Sequence, residues 1–267
     1  MALIPVPSTS KAREHVTPWP GYFPGMYVLT DACVTIVGAG RLGKALANAM
    51  KGAELHVSGP LGRGADGSGA DIVLLCVPDA AIGDAARAVK RGPLVGHCSG
   101  ASTLAPLAPH EAFSMHPLMT VAEGAAVSFA GAGCAVAGST ERARDASIAL
   151  AERLYMRPFT VADGDRDPYH AAASMASNYL VTLEDAAERL GAVAGVERAL
   201  FVPLVRAAVE NWARLGGRRA LTGPIVRGDA ATAARQRDAV AARTPELLPL
   251  WDALTEATRA LARGKGS

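Results

Sequence analysis

Val34-Thr35-Ile36-Val37-Gly38-Ala39-Gly40-Arg41-Leu42-Gly43 is the stretch on which the reading of this chain turns. A β-branched apolar run leads into Gly-x-Gly-x-x-Gly, and apolar residues then recur at helical spacing through residues 41–51. In that strand–turn–helix setting each glycine has a task. Gly38 permits the tight turn, Gly40 lets backbone amides approach a pyrophosphate, and Gly43 lets helix and strand pack closely. The helix N-terminus adds roughly half an elementary charge toward a phosphate. Arg41 fits the same reading, because a cation in a helix's first turn is unfavourable unless an anion lies there. The expected pyrophosphate cradle is therefore Gly38, Gly40, Arg41, Leu42 and Gly43.

The second strand bears on which dinucleotide would bind. In NAD-type sites that strand ends in an acid about 20 residues on, which holds a ribose hydroxyl. Here residues 54–58 end in Ser58, and Gly59-Pro60-Leu61-Gly62-Arg63 follows. A hydroxyl and the Arg63 guanidinium, with no carboxylate, favour a 2′-phosphate and hence NADP, with NAD as the alternative. Val77-Pro78, closing a later apolar run, is expected along the nicotinamide riboside.

Composition bounds the remainder. Half of the 267 residues are apolar but only 5% are aromatic, so the core is expected to be Ala, Val and Leu. The 27 basic and 25 acidic residues leave a net charge of +2, without the basic field of a nucleic-acid-binding protein. Four widely spaced cysteines with no Cys-x-x-Cys pair read as reduced thiols of a cytoplasmic protein, and no metal site is expected. The N-terminus lacks an apolar h-region and no strongly apolar run reaches 18 residues, so neither a signal peptide nor a membrane span is expected.

Residues 1–30 hold five prolines and read as an extended arm whose Trp19, Tyr22 and Phe23 could pack on the domain surface. From 31 to 162 apolar runs at 33–37, 54–58, 71–77, 94–98, 112–115, 133–137 and 158–161 alternate with helical patterns at 41–51, 79–91 and 140–154. Beyond 163 the strand pattern gives way to helices at 168–190, 197–215, 229–242 and 245–263. Gly216-Gly217 suits a helix end, Asp229 an N-cap, and Thr244-Pro245 an N-cap with proline at the first helical position. The expected fold class is α/β: a doubly wound, mostly parallel Rossmann sheet, then an all-helical domain over 163–267.

Six stretches occur in order: Gly38–Gly43, Val77-Pro78-Asp79, His97-Cys98-Ser99-Gly100, Ser114-Met115-His116-Pro117-Leu118, Tyr169-His170-Ala171-Ala172-Ala173 through Asn178, and Leu221-Thr222-Gly223-Pro224-Ile225-Val226-Arg227-Gly228-Asp229. Over roughly residues 31–260 the chain resembles the predicted oxidoreductases that join a Rossmann-like domain to a C-terminal helical domain of unknown function. Their architecture is that of the 6-phosphogluconate dehydrogenase-like enzymes, with ketopantoate and pyrroline-5-carboxylate reductases and prephenate-type dehydrogenases as cousins. The resemblance implies NAD(P) binding, hydride transfer to or from a small molecule, and a homodimer joined through the helical domain. It also implies that Ser99 and the Gly100 amide face the substrate and that His116 serves it.

The helix from Pro168 adds His170, Ser174 and Asn178 at i, i+4 and i+8, one polar stripe on an Ala-, Met- and Leu-rich helix. The cousins carry Lys-x-x-x-Asn on this helix; here Ser174 stands at the lysine position while Asn178 matches. Serine cannot act as an ammonium acid. Arg227 and Asp229 could pair or reach a ligand, and Glu210-Asn211 could orient their turn. The expectation is an NADP-dependent oxidoreductase reducing a small carbonyl or imine in a cleft between the domains. His116 or His170, near pKa 6.5, would be the general acid, with Asn178 and Ser99 on the substrate oxygen. The missing lysine keeps a non-catalytic NAD(P)-binding sensor as the alternative.

Overall fold

The computed structural model describes Leu29 and residues 31–124 and 127–264. The arm expected over 1–30, with Trp19, Tyr22 and Phe23, lies outside them except for Leu29, which is buried. The chain divides into two compact units, one ending at Ala171 and the other beginning at Ala172.

The first unit is built on seven strands: β1 (Cys33–Val37), β2 (His56–Leu61), β3 (Ile72–Leu75), β4 (Leu94–His97), β5 (Ala112–Leu118), β6 (Gly133–Gly138) and β7 (Arg157–Phe159). Their order in the sheet is β2-β1-β3-β4-β5-β6-β7. Helices α1 (Arg41–Gly52), α2 (Ile82–Ala88) and α3 (Glu141–Arg153) cover it. The unbroken apolar strands are explained by burial on both faces. In β3, Ile72 and Leu74 join Leu46 and Met50 of α1 and Leu150 of α3, while Val73 and Leu75 join Ile82, Ala85 and Ala86 of α2.

Every pairing is parallel except β5 with β6. A parallel return needs a crossover, usually a helix, and the described residues between Leu118 and Gly133 hold no helix, so β6 comes back beside β5 in the opposite sense. The chain passes from β1 outward to β2 and then returns to β3 on β1's other side. The switch point of the sheet therefore lies between β1 and β3, where ligands bind in doubly wound folds.

The expected helix over 168–190 is three pieces: α4 (Arg166–Ser174), a π turn (Met175–Tyr179) and α5 (Leu180–Ala192). The second unit continues with α6 (Arg198–Leu215), α7 (Gly217–Ala220), α8 (Ala230–Arg243) and α9 (Leu248–Ala262). Gly216 ends α6 at φ +74°, and the Asp229 carboxylate caps α8 by accepting from the Thr232 N–H at 2.9 Å. Thr244 does not cap with its side chain. Its hydroxyl turns back to the Val240 carbonyl, and Pro245–Leu247 forms a 3-10 turn before α9. Among the described residues of this unit, only Val240 and Thr244 are fully buried. None of the described helices is long and apolar enough to cross a membrane.

Candidate active site

The turn after β1 has the geometry its glycines imply. Gly38 sits at φ +109°, and a Cβ there would stand 2.3 Å from the Cys76 carbonyl oxygen. A Cβ at Gly43 would stand 2.0 Å from the Gly38 carbonyl oxygen, so α1 can approach β1 only without one. Gly40 differs, since nothing lies within 4 Å of its Cβ position. It is the N-cap of α1; no side chain caps that end, and the first turn holds no acid. First-turn N–H groups need an outside partner. Arg41 is exposed and makes no ion pair among the described residues. Crowded glycines that fix the turn, an open one in front of an uncapped helix and a lone cation beside it fit a dinucleotide's pyrophosphate. Leu42 is half-buried against the core, and Val77 flanks the same turn, its Cγ1 3.2 Å from the Gly38 Cβ position; Pro78 is exposed.

The second strand departs from expectation. It does not end in Ser58, which pairs with Thr35 inside β2; pairing resumes after a bulge and closes with Leu61 opposite Val37. The Leu61 carbonyl accepts the Gly38 N–H at 2.8 Å. Proline ends most strands because it lacks a donor, but β2 is an edge strand and Pro60 is tolerated there. Gly59, at φ +101°, supplies the bulge. Arg63, two residues past the true strand end, is exposed and without an ion pair among the described residues.

At the carboxyl ends of β4 and β5 the sheet register brings histidines together. His97 pairs with Ser114, and His116 lies two residues further along β5, on the same face. His97 is fully buried and spent on its own loop. Its Nδ1 accepts the Ser99 N–H at 3.1 Å, which leaves Nε2–H to donate to the Thr103 carbonyl at 3.0 Å. Ser99 is spent as well. Its hydroxyl donates to Asp79 at 2.7 Å and accepts from the Ala101 and Ser102 amides at 3.2 and 2.9 Å. A hydroxyl has one donor and two acceptor sites, so this one has no donor left for a substrate oxygen and instead fixes the loop after β4.

The His116 ring lies over Gly100, where a Cβ would come within 2.8 Å of it. Its Nδ1 is 2.7 Å from the Tyr169 hydroxyl, and the ring of His170 stands edge-on, 6.2 Å away between centroids. Tyr169 also meets Phe159 edge-to-face. Beside them Arg166 is 4% exposed, its Nε donating to Asp163 at 2.8 Å. Tyr169 and Arg166 are the residues that sequence reasoning missed. The Tyr-His dipeptide was visible, but the tyrosine's partner lies 53 residues away.

Burial, and to a lesser degree the nearby His170, pulls the His116 pKa from 6.5 down to about 4. Burial likewise lowers His97 and raises the Tyr169 phenol to about 12. At neutral pH all three are therefore uncharged. His116 is not the imidazolium acid expected of an ordinary histidine; it is a neutral imidazole hydrogen-bonded to a neutral phenol. His170 is exposed.

Asn178 and Ser174 belong to the second unit. Asn178 is exposed within the π turn, so the uninterrupted α-helical stripe expected through residue 178 is broken there. The wider turn winds fewer degrees per residue, and such turns are frequent at functional sites. The Asp229 carboxylate is held by its capping bond, which with the nearby Arg235 and Arg227 charges lowers its pKa, but Arg227 makes no salt bridge to it. Among the described residues no group of three or more His, Cys, Asp or Glu could hold a metal ion.

Residues 132–258 match the family model described as Domain of unknown function (DUF2520). The span runs from the start of β6 into α9 and supplies the helical part of the two-part group that the sequence resembles. No curated protein matches the chain. Among solved structures, a Bacteroides fragilis protein provisionally named an NADP oxidoreductase is 17% identical with a TM-score of 0.76, over 87% of this chain and 99% of that one. A Thermotoga maritima protein is 22% identical with a TM-score of 0.70, over the same shares. A reductive aminase from Aspergillus terreus, in complex with NADPH and ethyl levulinate, is 18% identical with a TM-score of 0.61, over 89% of this chain and 96% of that one. The fold is thus the one these solved structures share: a Rossmann sheet followed by helices.

Proposed function

We propose that this chain, with its Rossmann sheet and DUF2520 helices, is an NADP-dependent oxidoreductase that reduces a small carbonyl or imine beside His116 and Tyr169. The observation that carries the reading is the open Gly40 position in front of the uncapped α1, at the switch point of the sheet. Gly38, Gly40, Arg41, Leu42 and Gly43 would hold the pyrophosphate, Arg63 the 2′-phosphate, and Val77-Pro78 the riboside. NADP in place of NAD is supported by the exposed, unpaired Arg63 and by the NADPH found with the aminase of the same fold. A reduced nicotinamide, when bound, supplies a hydride.

The chain's own residues then handle the proton. Hydride addition to a carbonyl carbon leaves an oxygen that must take up a proton. Tyr169 O–H donates it, and His116 Nδ1–H restores the phenol across the 2.7 Å hydrogen bond. His116 regains a proton at Nε2 and so ends as the other neutral tautomer, with exposed His170 beside it as the carrier from solvent. The phenol's raised pKa does not prevent this, because an alkoxide is a stronger base than a phenolate. Ser99 acts as a positioning residue through Asp79 and the loop amides.

The helical unit's bare apolar stripe supports a homodimer in which a second copy covers it, and four free cysteines suit a cytoplasmic setting. Turnover of NADPH with a panel of small 2-oxo acids and cyclic imines tests the activity. Tyr169→Phe should lower kcat by about 10²–10³-fold with the NADPH Kd unchanged. Saturable NADPH binding with no turnover across the panel would favour the sensor, a reading that Ser174 at the lysine position supports.

A further inference from the structure

We propose that Arg166 is an anion-binding residue that seats the carboxylate of a short 2-oxo or 2-imino acid. That the carboxylate belongs to the substrate rests on the oxidoreductase reading; the anion site itself does not. A guanidinium carries five N–H donors. Arg166 is 4% exposed, yet among the described residues only its Nε is matched, by an Asp163 carboxylate whose side chain is 67% exposed. The donors on both Nη atoms have no hydrogen-bond partner there. Among the described residues no fully buried side-chain nitrogen lacks a partner, so the Nη atoms keep a sliver of surface through which an anion can reach them. A cation so nearly dry and only half-paired is costly, and its place as the first residue of α4 adds to the cost, since a helix N-terminus repels positive charge. A ligand anion relieves both.

The surroundings set the kind of anion. His97, His116 and Tyr169, all close enough to feel the charge of Arg166, are neutral at pH 7 and do not compete for it. Of the acids around it, Asp163 is on Nε and Asp79 accepts the Ser99 hydroxyl, while Asp165 and Asp167, its chain neighbours, are exposed to solvent. The dinucleotide's phosphates have their own cradle at β1. β5, which carries His116, lies three strands away, about 14 Å at about 4.8 Å per strand. Arg166 therefore belongs with the reacting end. It precedes Tyr169 by three residues, so the two side chains leave one face of α4. A planar carboxylate on the guanidinium fork then places an adjoining carbonyl or imine within a few atoms of the phenol.

Oxalate, an unreactive stand-in for a 2-oxo acid, tests this by calorimetric titration into the full chain, into Arg166→Lys and into Arg166→Gln, with NADPH titrated separately. We expect oxalate affinity to fall at least tenfold with lysine, which keeps the charge but loses the fork, and to vanish with glutamine. The NADPH Kd should stay within twofold throughout. If the glutamine variant does not give a cooperative melt, the lysine variant carries the comparison. Equal oxalate binding in wild type and variants, or none in wild type, would overturn the anion site. Sulfate bound as tightly as oxalate would overturn the carboxylate assignment. Absence of NADPH binding to wild type would overturn the oxidoreductase reading and with it the substrate assignment, while the oxalate arm still decides the anion site.

Discussion

The two units bury their apolar residues to very different degrees. In the sheet unit, Val34, Ile36, Ile72, Leu74, Leu94 and Phe113 have almost no exposure, and helices close both faces. In the helical unit Val240 is the one fully buried apolar residue among those described, while α6 shows Leu200 (68%), Leu204 (66%) and Trp212 (61%) to solvent. These three fall at i, i+4 and i+12, about 40° and about 120° round from the first, on one broad side of a helix about 27 Å long. A unit with a complete core can hold fixed glycines, buried neutral histidines and a defined phosphate cradle. A unit without one needs cover from outside itself. On the proposed reading, binding chemistry belongs to the first unit and assembly to the second.

The sharpest way to break the contrast is Gly43→Ala. With its Cβ 2.0 Å from the Gly38 carbonyl oxygen, α1 must lift from β1. We expect a loss of about 3 kcal/mol or more in urea unfolding, with NADPH binding lost as well. A variant as stable as wild type would show that the close packing of α1 on β1 is not needed. Next in size is Leu204→Glu in the exposed stripe. Light scattering should show a dimer in wild type and at least a hundredfold weaker self-association in the variant, with NADPH affinity retained. A wild-type chain that is monomeric at micromolar concentration would remove the second copy from the account.

The smallest effect concerns acid. Burial keeps His97 and His116 neutral in the folded chain, so below pH 6.5 the unfolded chain binds more protons, for His116 down to about pH 4. The stability they contribute is complete above pH 6.5 and is lost as pH falls toward 4. His116→Asn should flatten that slope in pH-dependent urea midpoints. Because these histidines belong to the sheet unit, acid should loosen that unit, while the self-association of the helical stripe changes little. An unaltered slope would mean that His116 is not held neutral.

What was legible in the sequence follows from range. Gly38–Gly43, the alternation of apolar runs with helices, the Asp229 cap and the change to helices near residue 163 are all local patterns, and each was readable. The direction of β6 was not in its sequence, because Gly133–Gly138 looks alike whichever way it runs. The extension of β2 through Pro60 was hidden because proline ordinarily stops a strand, and only the strand's place at the edge excuses it. One residue too many in the turn at Met175–Tyr179 changes no composition, so the break in the helix left no trace. His116 and His170 stand out in the sequence by residue type. The pairing of His116 with Tyr169 and the burial of Arg166 arise only when β5 and α4 meet, and no spacing rule spans that separation. The neutral state of His116 is likewise a consequence of burial, which a lone histidine in a sequence does not announce.

The central claim is that α1's open N-terminus receives a dinucleotide. Calorimetric titration of NADPH, and of NADH, into the wild-type chain and into Gly40→Ala tests it most directly. Gly40 has ordinary backbone angles and free space around its Cβ position, so the alanine should leave the urea midpoint within about 0.5 kcal/mol. The account predicts one NADPH per chain, bound more tightly than NADH, and at least tenfold weaker binding in Gly40→Ala. No heat from either coenzyme, or the same affinity with and without the alanine, would contradict it.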